Sequence, residues 1–370
     1  MSATALEALH RYTLLESPTG DSRALAALAE VLEADAAGAG FTVAREAHPT
    51  GDHLLWTLPA SPGGGASATG GPLLLLSHYD TVWPVGTLAT MPWTAEGDVI
   101  RGPGVYDTKA GLAALLEAAR RLAGRPHPEI RVIVVADEEI GSPTAGDLVR
   151  SEAARAAAVL GLEPPHPGGD LKTGRRGSTR ARIAVTGVEA HAALDPDAGA
   201  NAIDELVDQL LRVRAGVAER PVLLNVGTIA GGGRTNVVAG KAHADLGLRF
   251  TDPADEEAVI GLLRSLRPVR EKARVTADLL SHRPTWKPAP DAPLLARIRA
   301  IAAGIGQEID GRPADGAADT NTTGALGVPT VDGLAPRGGG AHARTEWVSS
   351  SGVGERIALL AALLAGGGLV

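Results

Sequence analysis

The chain has 370 residues, too many for one ordinary core, so two domains are expected. It is 44% hydrophobic and 21% charged with a net charge of −8, and its Arg175-Arg176 pair reads as solvated surface or a hinge rather than a basic face for nucleic acid. With no cysteine, disulfides and thiolate metal sites are excluded, and any zinc must be held by His, Asp and Glu.

The first 21 residues show neither a basic n-region nor an apolar h-region, so no signal peptide is expected. No apolar run reaches the length of a membrane span, and the cytoplasm is the expected location. Residues 3–16 read as an amphipathic helix, and a turn at Ser17-Pro18-Thr19-Gly20-Asp21 leads into a second helix over 22–38. Strands are expected at 41–46 and 53–58. Segment 61–71, rich in Gly and Ser, reads as a flexible loop. A strand at 73–77, a helix at 108–123, a strand at 130–136, a helix at 144–155 and a strand at 158–162 complete a βαβαβ pattern.

The character changes near Arg175. Residues 178–187 alternate with period two, as in a sheet with one wet face. A helix at 199–215, strands at 222–229 and 242–250, a helix at 254–266 and a strand at 273–279 follow. The order β-α-β-β-α-β is that of a ferredoxin-like unit. Residues 176–285 therefore read as an inserted domain, with 282–290 as the return linker. A helix at 292–305, a short strand at 328–333 and a helix at 353–366 rejoin a discontinuous first domain of 1–175 and 286–370.

Three apolar runs end in potential metal ligands. Leu73–Ser77 runs into His78-Tyr79-Asp80, Val132–Ala136 into Asp137-Glu138-Glu139, and Ala158–Leu162 into Glu163. Apolar runs of this kind read as buried strands of a largely parallel sheet, whose ligands bind beyond the carboxyl ends. His78 and Asp80, two apart, point to one side of a strand end, so the pair supplies a ligand and a partner to fix its tautomer. Asp107, in GPGVYDTK, stands where an N-cap is favoured, yet its two oxygens also suit a bridge between cations. Glu138 and Glu139 repel unless positive charge lies nearby, and as neighbours they can take different roles. His342 follows three glycines, which permit close backbone approach.

The stretches SHYDTVWP, GPGVYDTKAG, ADEEIGS, LGLEP, TGVEAHAA, GRTNVVAG, LGLRF and GGGAHARTEWV run in order from residue 77 to 348. Together they resemble the co-catalytic zinc metallopeptidases of the aminoacylase type, which include bacterial glutamate carboxypeptidase, succinyl-diaminopimelate desuccinylase, acetylornithine deacetylase and carnosinase. The glutamate carboxypeptidase branch is the most similar. The resemblance implies an α/β fold, with a catalytic domain around a mostly parallel sheet and an inserted α+β ferredoxin-like lid and dimerisation domain. It implies two zinc ions per subunit, replaceable by cobalt or manganese, with Asp107 bridging, His78 and Glu163 on one ion, and Glu139 and His342 on the other. It makes Glu138 the general base and Asp80 the orienter of His78. In the inserted domain it makes His191 the oxyanion donor, reaching the partner's site in dimeric members, and gives Asn236 and Arg249 the substrate's polar end.

The implied activity is hydrolysis of an amide beside a free carboxylate. A carboxypeptidase releasing an amino acid such as glutamate is expected first, and an N-acyl amino acid deacylase or dipeptidase second. A non-catalytic binding protein of the same fold is the alternative of another class. A homodimer through the inserted domain is expected, with no nucleic-acid or membrane partner. The sequence departs from the family pattern at Tyr79, where aliphatic residues or Met are more usual, and at Asp315-Gly316-Ala317-Ala318-Asp319-Thr320-Asn321, where a hydroxyl is missing. Both departures bear on substrate identity rather than on metal chemistry.

Overall fold

A computed structural model describes residues 2–63, 70–289, 293–365 and 369. Of the loop expected at 61–71, positions 64–69 lie outside the described residues. So do 290–292, at the join of the return linker and the helix after it, and position 366 of the last helix. Two compact units emerge, one of Met1–Gly174 with Pro288–Val370 and one of Arg175–Lys287.

The first unit is built on a six-stranded mixed sheet. Its strands are β1 (Thr42–Glu46), β2 (His53–Leu58), β3 (Leu73–His78), β4 (Ile130–Val135) and β5 (Ala158–Gly161), with Thr330–Val331 at the edge. The order is β1-β2-β4-β3-β5 and then the 330–331 strand. The last four of these run parallel, whereas β1 and β2 form an antiparallel hairpin against β4. Alternation splits the apolar runs between two faces. Leu73, Leu75, Val132, Val134 and Leu160 pack into one core, and Leu74, Leu76, Ile133, Val135 and Val159 into another. Burial of each such side chain contributes roughly 1.5–3 kcal/mol. A sheet covered on both faces leaves only its strand ends for chemistry.

Several expected bounds shift for local reasons. The helix expected from 108 begins at Ala110, because Asp107 and Thr108 have non-helical backbone angles. The final helix begins at Ser350, where the Ser349 hydroxyl caps the Gly352 N–H at 2.9 Å. Short strands at Thr94–Glu96, Val99–Arg101, Gly338–Gly339 and Trp347–Ser349 form a small antiparallel sheet that no period-two pattern announced. Leu171–Arg175 and Gly311–Ala314 form a two-stranded sheet. Each is too short to carry a pattern, and two of the pairings, 99–101 with 347–349 and 171–175 with 311–314, join segments far apart in sequence.

The second unit contains β6 (Gly177–Thr186), β7 (Leu223–Gly231), β8 (Lys241–Phe250) and β9 (Arg274–Arg283), with helices Ala202–Val217 and Pro253–Ser265. The order β7-β8-β6-β9, antiparallel throughout, is the ferredoxin-like arrangement. Ala181, Ile183, Leu246, Leu248 and Phe250 bury against the helices, while alternate residues such as Arg182 and Asp245 pair on the wet face. Among the described residues no helix is long and apolar enough to cross a membrane.

Candidate metal centre

Strands β4, β3 and β5 are adjacent and parallel, so their carboxyl ends lie along one edge. His78 is the last residue of β3. After β4 the chain enters a single 3₁₀ turn, Glu138–Ile140, which carries two successive carboxylates. After β5, Leu162 leads to Glu163. Asp107 arrives on a loop, and His342 on a tight turn in which its own φ is +61°. A side chain on Gly340 would collide with the backbone of Glu346 at 3.0 Å, which keeps that turn narrow.

These residues converge. The Nε2 of His78 lies 3.1 Å from Asp107 Oδ1 and 3.6 Å from Glu163 Oε1. The Nε2 of His342 lies 3.4 Å from Asp107 Oδ2 and 3.0 Å from Glu139 Oε2. Asp107 thus turns one oxygen toward each imidazole. Ligand-type atoms of His78, Asp107 and Glu139 lie within 4.8 Å of one another, as do those of His78, Glu138 and Glu163. The Nδ1 of His78 faces the Asp80 carbonyl at 2.9 Å and the Asp80 carboxylate at 3.3 Å. Two acceptors on that side hold an N–H on Nδ1, so Nε2, which faces the carboxylates, is the nitrogen a cation would take in place of its proton.

The electrostatics show a site short of positive charge. Burial opposes a charged His78, yet hydrogen bonds to Asp107 and Asp80 and the charges of Glu163 and Glu138 hold it well above the ordinary value. Hydrogen bonds to Asp107 and Glu139 raise His342 to about 10. Burial of Asp107 works against its charge, but the two histidines hold its carboxyl well below the usual range. Four carboxylates around two imidazoles, with only N and O donors, fit zinc, cobalt or manganese.

Around the donors lies a shell of buried polar groups. Asp80 does more than orient His78: its two oxygens also accept the Glu138 and Glu139 N–H groups at 3.2 Å each, and Thr19 donates to it at 2.7 Å. Asp332 accepts the Glu163 N–H at 3.3 Å and the Thr320 hydroxyl at 2.6 Å. A side chain on Gly161 would strike Asp332 and Thr320, so the β5 end requires glycine. The unusual Tyr79 is buried, its hydroxyl on the Asp52 carbonyl at 2.6 Å. The divergent 315–321 stretch connects to the centre through Thr320 and Asp332. The reading from sequence missed Asp332, Thr320 and Glu346. Glu346 stands inside the quoted GGGAHARTEWV motif, but nothing in its residue type signalled full burial.

The model of peptidase family M20/M25/M40 matches residues 74–366. The chain belongs to this family. It is 30% identical to carboxypeptidase G2 of Pseudomonas sp. (strain RS-16), over 97% of this chain and 88% of that one. It is 29% identical to a succinyl-diaminopimelate desuccinylase of Gluconacetobacter diazotrophicus, over 64% of this chain and 67% of that one. An M20 family metallo-carboxypeptidase from Sulfolobus solfataricus superposes with a TM-score of 0.75 at 17% identity, covering 100% of both chains. The aminopeptidase PepT of Bacillus cereus gives 0.73 at 22% identity, over 98% and 97%. As a member of the M20 family, the protein is a metallohydrolase acting on amide bonds.

The other expected site residues lie in the second unit. His191 is exposed, and its Nδ1 accepts the Ala193 and Leu194 N–H groups at 3.2 and 3.1 Å, which leaves Nε2 as an outward donor. Asn236 is also exposed, and its carbonyl accepts the Ala192 N–H at 3.0 Å, which ties it to the His191 segment. Arg249 is half-buried and donates to the Ser178 hydroxyl at 2.5 Å; in the sheet register Arg249 and Arg283 flank Ser178 from the two neighbouring strands.

Proposed function

We propose that this M20 hydrolase is a two-cation carboxypeptidase that releases a C-terminal amino acid such as glutamate. The observation that carries the metal chemistry is Asp107, with one oxygen turned toward each histidine. Support for carboxypeptidase action comes from the similarity to carboxypeptidase G2, which spans nearly the whole chain. In this reading His78 and Glu163 hold one cation, Glu139 and His342 the other, and Asp107 both.

When bound, such a pair supplies Lewis acidity, polarising the amide carbonyl and lowering the pKa of a water. Glu138 takes the proton of the attacking water and delivers it to the leaving nitrogen. Asp80 fixes the His78 tautomer and, through the Glu138 N–H, the start of the turn that carries the base. His191 Nε2 donates to the developing oxyanion, and Arg249 and Asn236 bind the substrate's polar end. The guanidinium fork of Arg249 suits a carboxylate.

N-acyl amino acid deacylation is the second reading, favoured by the similarity to succinyl-diaminopimelate desuccinylases. A panel of dipeptides and acyl-amino acids, with mass detection of released amino acids, separates the two. C-terminal glutamate substrates are expected to turn over, a chelator to stop release, and added zinc, cobalt or manganese to restore it. Undiminished hydrolysis in excess chelator would remove the metal from the mechanism.

A homodimer through the second unit is part of the same reading. Ile203, Val207 and Leu211, spaced four apart on one helix, are exposed, as are Leu223 and Ile229 on edge strand β7. If His191 serves the partner's centre, two inactive variants complement each other. His191→Ala is expected to lose about a hundredfold in kcat with metal content unchanged. Mixed with Glu138→Ala after subunit exchange, it should regain activity. No recovery from verified mixed dimers would confine His191 to its own subunit.

A further inference from the structure

We propose that Glu346 is a positioning residue for the metal-bridging segment, holding Asp107 where its two oxygens can serve two cations. The proposal rests on the two-cation reading above.

Glu346 is completely buried and its carboxylate faces four N–H donors. Its Oε1 accepts the Tyr106 N–H at 2.9 Å and the Asp107 N–H at 3.1 Å. Its Oε2 accepts the Gly104 N–H at 3.0 Å and the Trp83 indole N–H at 2.8 Å. Backbone amides of one short loop, two of them consecutive, turned onto one anion resemble a nest and fix the path of the loop. The loop fixed here ends at Asp107 itself.

The same carboxylate joins three ligand-bearing segments. Trp83 lies five residues beyond His78 and three beyond Asp80. Asp107 supplies its own N–H. His342 is four residues before Glu346, across a turn closed by hydrogen bonds from Ala343 to Gly340 and from Glu346 to Ala343, both 2.9 Å. Just after Glu346, Trp347 pairs with Arg101 in the small sheet, and the chain from Arg101 continues directly into the Asp107 loop. Glu346 is therefore anchored on both sides of the geometry it sets.

Both oxygens act only as acceptors, so the carboxylate cannot be replaced by its amide. In either orientation, glutamine at this position points an NH₂ at two N–H donors. A shorter aspartate keeps the charge but cannot reach all four. Loss of an outer-shell partner of this kind typically lowers metal affinity about 10–100-fold.

The test measures affinity for Co²⁺ by chelator competition, the visible spectrum of the Co²⁺ protein, and thermal melting of metal-free protein. Purified wild type, E346Q, E346D and W83F are compared, with D107A as the control for loss of the bridge. E346Q is expected to lose about 10–100-fold in affinity and to shift the spectrum, E346D to recover part of that loss, and W83F to lose only a few-fold. A folded E346Q with wild-type affinity and spectrum overturns the proposal, even if its melting temperature falls, because Glu346 would then be structural only. Should E346Q not fold, wild-type affinity and spectrum in E346D overturn it equally. A wild type that binds no more Co²⁺ than D107A overturns the two-cation reading, and the proposal with it.

Discussion

Glu138→Ala is expected to lower kcat by about 10²–10⁴-fold while leaving metal content at the wild-type level. The range corresponds to removing one general acid–base group, at roughly 1.4 kcal/mol of barrier per tenfold. Glu138 stands in a position that geometry alone leaves open, since its carboxylate lies with the His78 imidazole and the Glu163 carboxylate and could be a ligand as well as a base. The two neighbours differ in partners: Glu139 contacts His342 and groups with His78 and Asp107, while Glu138 groups with His78 and Glu163. The turn is held by backbone N–H groups on Asp80, which alanine retains, so the variant should fold and keep Glu139 in place. Elemental analysis beside steady-state kinetics decides the role. Metal lost in parallel with activity would make Glu138 a ligand, and near-normal turnover with full metal would end its assignment as base.

The clustering of the candidate ligands was legible because they sit where apolar runs stop. Leu73–His78, Ile130–Val135 and Ala158–Gly161 are buried strands with His78, Glu138, Glu139 and Glu163 at or just past their ends, and parallel neighbours in the order β4-β3-β5 bring those ends to one edge. The period-two pattern of 178–187 likewise marked a one-sided sheet, and β6 alternates buried and more exposed residues along its length. What escaped was polar and non-local. Glu346 is 239 positions from Asp107, and the relation between them runs through backbone amides, which leave no mark on residue type. Asp332 supports Glu163 from 169 positions away in the same manner. The helix start was misplaced by two residues because Asp107 reads equally well as an N-cap, whereas Asp107 and Thr108 have non-helical backbone angles. Which amide substrate is cleaved depends on the side chains that surround the scissile bond, which no motif in the sequence identifies.

Asp107→Ala is expected to remove metal together with activity. The carboxylate divides its oxygens, Oδ1 at 3.1 Å from His78 and Oδ2 at 3.4 Å from His342, so it is the element common to both halves of the centre. Without it the remaining donors form two incomplete sets, His78 with Glu163 and Glu139 with His342. Each lacks both a ligand and a negative charge. The loss in affinity should exceed the roughly 10–100-fold cost of removing an outer-shell partner, because in the two-cation reading a direct donor would be gone from both ions. Asp107→Asn sharpens the test. The amide keeps one acceptor oxygen and replaces the other with a donor, so one cation should remain and one should be lost. Titration with zinc, followed by mass spectrometry of the native protein, counts the ions directly. Two tightly held ions in the alanine variant would refute the bridge. One ion in the asparagine variant and none at comparable affinity in the alanine variant would locate the bridge at this carboxylate.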